Sequence, residues 1–335
     1  MISRPGPLLT LLLLLSAGLA VLGVAVGSTG FAFNWIHADN DMARQILWQI
    51  VWEIRLPRSL GAWTAGALLG LAGAIAQGLF RNPLADPYLL GSASGAGLGV
   101  ALALAFIGMS PASSLWLDRL GLTGVAFVGT VGGVLATLLL ARGVEHTLRL
   151  LLAGVVVGVV LTAATNLIML NSPEIMRSMQ AFMLGTTGLL GWNSVILMAI
   201  ALLICLLIAM GGSRALDALT LGEATAHSLG VRLGLVRVVM IGAFALGTGT
   251  AVAQAGMIAF VGLVAPHLVR NHCPTTHGKL LLLSACTGGV LLLAADILAR
   301  WLFAPQELPV GIITALLGGS YLLWLMHRRT GRRPV

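Results

Sequence analysis

His267, His272, Cys273 and His277 form the densest group of potential metal ligands in the chain. Zinc takes His and Cys at short spacings, but this spacing matches structural zinc patterns loosely and no carboxylate lies nearby in sequence. The expectation is that no metal is bound. A proton or sodium relay needs ionisable groups inside long apolar segments. Of the acids Asp39, Asp41, Glu53, Asp86, Asp118, Glu145, Glu174, Asp217, Glu223, Asp296 and Glu307, only Asp296 sits well within one. Arg300, four residues on, offers it a helical ion pair. A phosphate-binding G-x-x-x-x-G-K-[ST] loop is excluded, because the only lysine, Lys279, is followed by Leu280. Met169, Met176, Met179 and Met183 place thioethers where a bulky apolar ligand could meet them, a weak substrate path; packing is the commoner use of methionine. No catalytic residue is expected.

These residues sit in a chain built for lipid. Apolar residues make up 58% and charged residues 9%, against about a quarter charged in a soluble domain. The net charge of +8 is distributed at the ends of apolar runs, with no basic stripe interleaved with aromatics, so no nucleic-acid partner is expected. Cys205, Cys273 and Cys286 share no close spacing, which argues against a disulfide framework. Apolar segments fall at 7–27, 58–80, 90–109, 121–141, 150–170, 190–211, 234–253, 255–269, 279–303 and 308–327, lengths suited mostly to spanning helices. The segment 255–269 is short, so hydropathy alone allows nine or ten. Arg4 before the first and Arg328, Arg329, Arg332 and Arg333 after the last put both termini in the cytoplasm by the positive-inside rule, which requires an even number. With ten spans, Arg81, Arg142, Arg149, Arg214, Arg232, Arg237, Arg270 and Lys279 also fall inside. The first segment shares features with a signal peptide, but its apolar run exceeds the usual 7–15 residues.

The predicted class is therefore all-α, a polytopic membrane protein of about ten transmembrane helices in one domain, 1–335. Residues 42–54 read as an amphipathic interfacial helix, and 172–184 as a short external helix with Ser172 as N-cap and Pro173 at its first position. Gly66, Gly70 and Gly73, then Gly129 and Gly133, then Gly154 and Gly158, are spaced for close helix crossings. The stretch 73–87 echoes 249–266 around Gln77 and Gln254, in opposite directions through the membrane, the pattern of an inverted repeat. The polar interruption "ALTLGEATAHSLGV" (218–231) reads as a short helix. Thr220 and Glu223 would form its capping box and Gly230 its C′ residue. Leu221, Thr225 and Leu229 fall on one face, and Glu223 and His227 on another.

A transport path without a relay or a nucleotide loop implies a separate motor; the rival from another class is an ion-gradient-driven secondary transporter. "RLPR" (55–58), "AQGLFRNPLADP" (76–87), "LGEATAHSLGV" (221–231), "GMIAFVGLVAPHLVR" (256–270), "AADILAR" (294–300) and "ELPVGIITALLG" (307–318) together resemble the membrane-spanning subunit of the type II ABC importers, the permease family for iron complexes, haem and cobalamin. The resemblance covers nearly the whole chain. It implies ten helices per subunit in a homodimer in the bacterial inner membrane, two ATPase subunits that carry ATP and Mg, and a periplasmic binding protein. No cofactor is implied on this chain. It assigns Arg55, Arg58 and Arg300 to docking of the binding protein. It assigns the cytoplasmic helices within 214–231, with Leu221, Gly222, Glu223, Ala224, His227, Leu229 and Gly230, to coupling with the ATPase. It assigns Asn82, Pro83 and Leu84 to a cytoplasmic gate, with a second constriction at Glu145, His146 and Thr147. Haem is favoured as cargo, then a ferric siderophore, then cobalamin. Two departures stand out: Thr276-His277-Gly278-Lys279 where relatives often carry Asp-His-Arg, and Ser320 in place of a proline, which predicts a less kinked last helix.

Overall fold

The computed structural model describes residues 4–27, 30–31, 41–108, 116–142 and 147–330. Each of the ten apolar segments corresponds to a helix: α1 (Pro5–Ala25), α3 (Leu56–Leu79), α4 (Ser92–Leu102), α5 (Trp116–Ala141), α6 (Thr147–Asn171), α8 (Trp192–Thr220), α10 (Leu233–Ala255), α11 (Val261–His272), α12 (His277–Trp301) and α13 (Val310–Thr330). Between them lie α2 (Asp41–Gln49), α7 (Met176–Leu184) and α9 (Glu223–Ser228). Among the described residues, seven helices are long and apolar enough to cross a membrane, and α4 and α13 contribute shorter apolar stretches. Among the described residues, only a short hairpin, Val26–Gly27 with Gly30–Phe31, departs from the all-α pattern.

Helix α3 is the axis of the bundle, buried along almost its whole length against α12, α10, α8 and α11. Lipid gives no hydrophobic drive between helices, so close backbone contact must hold them. Glycine supplies it. A Cβ on Gly66 would overlap the Gly288 carbonyl of α12, one on Gly70 the Ser284 carbonyl, and one on Gly73 the Gly262 carbonyl of α11. The α4–α5 crossing is built alike, with Gly129 on Gly95 and Gly133 on Gly91. A Cβ on Gly158 would meet the Ser94 hydroxyl at an ordinary 3.5 Å, and Gly154 and Gly158 line an open groove of about 440 Å³ with Tyr88, Thr162 and Asn166.

The packing pairs the two stretches that echo each other in sequence. Helices α3–α6 and α10–α13 form two units, and the first helix of each lies against the second and third of the other: α3 on α11 and α12, α10 on α4 and α5.

Three local expectations change. Residues 42–54 are not a separate helix. Helix α2 runs through a π-helical turn, Ile50–Arg55, straight into α3, and the Leu56 N–H reaches back to the Val51 carbonyl. The wide turn accommodates Pro57, which lacks an N–H and would crowd a regular helix. The amphipathic reading holds, since Ile46, Trp48, Trp52 and Ile54 are exposed. Ser172 takes the N-cap position and Pro173 follows it, as read, but the Ser172 side chain makes no capping hydrogen bond, and the first turn is 3₁₀, Pro173–Ile175, leading directly into α7. Helix α8 continues to Thr220, so residues 214–220 belong to it and only α9 is a separate helix within 214–231. At about 44 Å, 29 residues of helix exceed the roughly 30 Å hydrocarbon core. Helix α13 is unbroken across Ser320, whose hydroxyl donates to the Leu317 carbonyl at 3.0 Å.

Candidate functional sites at the two ends of the bundle

At the end where α3 begins, three arginines far apart in sequence converge with two acids. Arg58 Nε donates to Asp296 Oδ1 at 3.1 Å, and its Nη1 to Glu307 Oε2 at 2.7 Å. Arg300 pairs with Asp296 Oδ2 one helical turn away, as the spacing predicts, and donates to the Gly23 carbonyl at 2.8 Å and Ser59 Oγ at 3.3 Å. Thr187 Oγ1 donates to Asp296 Oδ1 at 2.5 Å. Arg55 Nη1 donates to the Val24 and Ala25 carbonyls at 3.2 and 3.1 Å. Arg55 and Arg300 thus satisfy the last carbonyls of α1, where the helix dipole favours cations. Arg58 and Arg300 are 8% and 2% exposed. The docking assignment pictured these arginines as receivers of a partner's acids; in the structure each donates to internal acceptors, while Arg300 Nε is buried without a hydrogen-bond partner among the described residues. Glu307, at 34% side-chain exposure, is the more accessible member of the cluster.

At the opposite end lie the gate and coupling candidates. Helix α3 stops at Phe80, and Arg81 takes a left-handed conformation with φ +51°. Asn82 Oδ1 then accepts from the Leu84 N–H at 3.0 Å, and the Asn82 carbonyl from the Ala85 N–H at 3.0 Å. Asn82-Pro83-Leu84 is therefore a tight, side-chain-closed turn, the non-helical segment its two prolines imply, with Pro83 and Leu84 exposed. Asp86 follows, buried, and caps the 3₁₀ turn Pro87–Leu90 by accepting from the Tyr88 N–H at 2.7 Å. Burial raises its carboxyl pKa to about 6, against the lowering effect of that hydrogen bond. Thr147 opens α6, while Glu145 and His146 lie outside the described residues.

Helix α9 sits beside this turn. The predicted capping box does not form. Thr220 ends α8 and donates to the Asp217 carbonyl at 2.6 Å, and the N-cap of α9 is Gly222 at φ +102°. Glu223 instead accepts from Arg237 Nη2 at 2.7 Å and Arg81 Nη2 at 3.3 Å. The far end is as read. Gly230 is left-handed, its N–H bonding the His227 carbonyl while the Val231 N–H bonds the Ala226 carbonyl, a full Schellman motif. Leu221, Ala224, His227 and Leu229 are exposed, and Ala226 is the buried residue of α9.

The remaining candidates disperse. Met179 is buried in an apolar cluster and Met169 packs against it, so both serve packing; Met176 and Met183 are exposed. His277 Nδ1 contacts Asp217 Oδ1 at 2.7 Å, His267 meets the Tyr321 ring edge-on at 6.0 Å, and His272 contacts the Leu268 carbonyl. Sequence reasoning missed Glu307 and Arg237 as site residues. Both are charges at helix ends, the only signal available for either.

Residues 8–328 match the model of the FecCD transport family. The hemin transport system permease protein HmuU of Yersinia pestis is 38% identical over 331 residues, covering 98% of this chain and 96% of the relative. The vitamin B12 import system permease protein BtuC of Salmonella typhi is 39% identical over 323 residues, covering 95% and 93%. Among solved structures, one described as an inward-facing conformation of a metal-chelate type ABC transporter superposes with a TM-score of 0.81 at 28% identity, covering 97% of this chain and all of that one. A chain of PsaBC from Streptococcus pneumoniae shares the fold at 16% identity and a TM-score of 0.60, covering 84% of this chain and 94% of its own.

Proposed function

The chain belongs to the FecCD transport family and is the permease subunit of an ABC importer, with ATP hydrolysis in a separate subunit, and from that premise we propose that it moves haem or another iron complex. It is a multi-pass inner-membrane protein that works with an ATPase and a binding protein. The observation that carries the reading is α9. It is a short helix locked at its end by a Schellman motif, flanked by the exposed Leu221 and Leu229, and it stands beside the tight Asn82-Pro83-Leu84 turn. We take that end as cytoplasmic, with both termini on the same side. Leu221 and Leu229 seat on the ATPase subunit, which holds ATP and Mg, and the Asn82-Pro83-Leu84 turn is the gate. Two copies form a homodimer around the pathway. The supporting feature is the exposed apolar face of α6, including Val155, Val159 and Leu170, next to the Gly154–Gly158 groove. The binding protein docks at the opposite end, over Arg55, Arg58 and Arg300, its acids reaching Arg58 in exchange for Glu307. Met176 and Met183 are the exposed thioethers available to cargo.

Uptake into liposomes by the complete complex, comparing haemin, a ferric siderophore and cobalamin, tests the cargo. ATP-dependent accumulation of haemin or the siderophore is the expected result, and accumulation of cobalamin alone would overturn it. Gly222→Pro tests α9. Proline fixes φ near −65°, far from +102°. The variant should still insert in the membrane, hydrolyse ATP with its partner and fail to transport; normal coupling would refute the assignment.

A further inference from the structure

We propose that Glu223 is a positioning residue that ties the gate turn to α9, so that displacement of α9 is handed to Asn82-Pro83-Leu84 through Arg81. The inference rests on the reading of α9 as the ATPase seat and of the turn as the gate.

Three observations carry it. First, burial does little to hold α9. Of its six residues only Ala226 is buried, and it enters through Gly222 at φ +102°. Second, among the described residues the side-chain hydrogen bonds that leave α9 are those of Glu223; Ser228 donates within the helix, to the Thr225 carbonyl. One oxygen, Oε1, receives both guanidinium groups, Arg237 from α10 at 2.7 Å and Arg81 from the turn at 3.3 Å. The carboxylate therefore joins three separate elements at one atom. Third, Arg81 is the residue at which α3 gives way. Gln77 fixes the last turn of α3 by donating to the Leu263 carbonyl and accepting from Arg270. Four residues on, Arg81 breaks the helix at φ +51° and leads directly into Asn82. A pull on the Arg81 side chain thus acts on the first backbone joint after the anchored part of α3.

The charge arrangement suits transmission rather than locking. Glu223 and Arg237 are about a quarter exposed and Arg81 more so, and exposed ion pairs contribute little to folding stability. Removing the link leaves the helices packed and changes how two surface elements follow each other.

The test uses the complete complex with haemin as probe. Glu223→Gln and Arg81→Gln should each lower haemin moved per ATP hydrolysed by at least about fivefold, a typical coupling size, while the ATPase subunit still co-purifies. Because the two residues act in series, the double variant should be no worse than either single. Spin labels at Leu84→Cys and Thr225→Cys should keep one distance with and without trapped nucleotide in the parent, and lose that correlation in Glu223→Gln. Multiplying defects, or an unchanged label distance in Glu223→Gln, would overturn the link. Leu221→Asp with Leu229→Asp separates the two failures. If the ATPase subunit binds that variant undiminished, the seat reading falls and the link with it. If binding is lost there while the link tests fail, the link alone is overturned.

Discussion

The two ends of the bundle solve one problem in opposite ways. At each, two arginines share one carboxylate: Arg58 and Arg300 on Asp296, Arg81 and Arg237 on Glu223. Asp296 is fully buried and uses both oxygens, with Thr187 as a further donor. Glu223 is partly exposed and uses one oxygen for both partners. The first arrangement closes off α1, α3, α12 and the segment between α7 and α8 at one end; the second leaves α9 attached but adjustable. The same side-chain chemistry thus yields a lock or a linkage according to how much water reaches it.

The sharpest way to break this contrast is Asp296→Ala. Two buried guanidinium groups would lose the carboxylate they share, and breaking a buried pair costs about 3–5 kcal/mol; thermal unfolding in detergent should show a large loss or no folded protein. A near-neutral result would make the lock a passenger. Asp86 sharpens the contrast as a buried carboxylate with no arginine partner in its hydrogen bonds. Its folded pKa of about 6 lies above the ordinary value of 3.8. The folded state therefore binds the proton more readily between those values, and stability from this group rises as pH falls from 7 toward 4. Asp86→Asn should remove about 1 kcal/mol of that pH dependence between pH 7 and pH 5, read by unfolding at those two values. Thr187→Val should cost about 1 kcal/mol, the size of one buried hydrogen bond. Glu223→Gln should change stability by less than about 1 kcal/mol while lowering transport per ATP; an unfolding shift as large as that of Asp296→Ala would erase the distinction between lock and linkage.

Local spacing made much of this legible. The ten apolar segments became helices, Asp296 found Arg300 one turn away, and Gly230 capped α9. Gly66, Gly70, Gly129 and Gly133 sit where backbones touch. What spacing could not show were partners brought by the fold. Arg58 lies 238 residues from Asp296, and nothing local marks either for the other. The capping box failed for the same reason. Glu223 had a local partner in Thr220, but two arginines from other elements offered a charged carboxylate stronger bonds, and α8 ran on to absorb Thr220. Gly154 and Gly158 carry the same spacing as the packed pairs, yet face a groove, because spacing does not say which surface a helix turns inward.

The π-helical turn at Ile50–Arg55 makes chain length itself the sensitive quantity in that region. A regular helix turns about 100° per residue, so roughly five residues of it sweep nearly the angle that the six residues of the wide turn sweep. Deleting one residue from 50–55 would therefore let regular winding take up the loss and leave the bearing of α2 almost unchanged. Deleting one among 47–49 meets no such slack and would swing everything before it by about 100°. Trp52, whose ring lies 5.1 Å from that of Trp192 and whose carbonyl accepts from the Trp192 Nε1 at 2.9 Å, would stay in place while the exposed Met42 and Ile46 rotated away. No substitution reproduces that rotation. A single-residue deletion among 47–49 should therefore disturb the placing of α2 more than one in 50–55, an alteration that comparing side chains position by position would overlook.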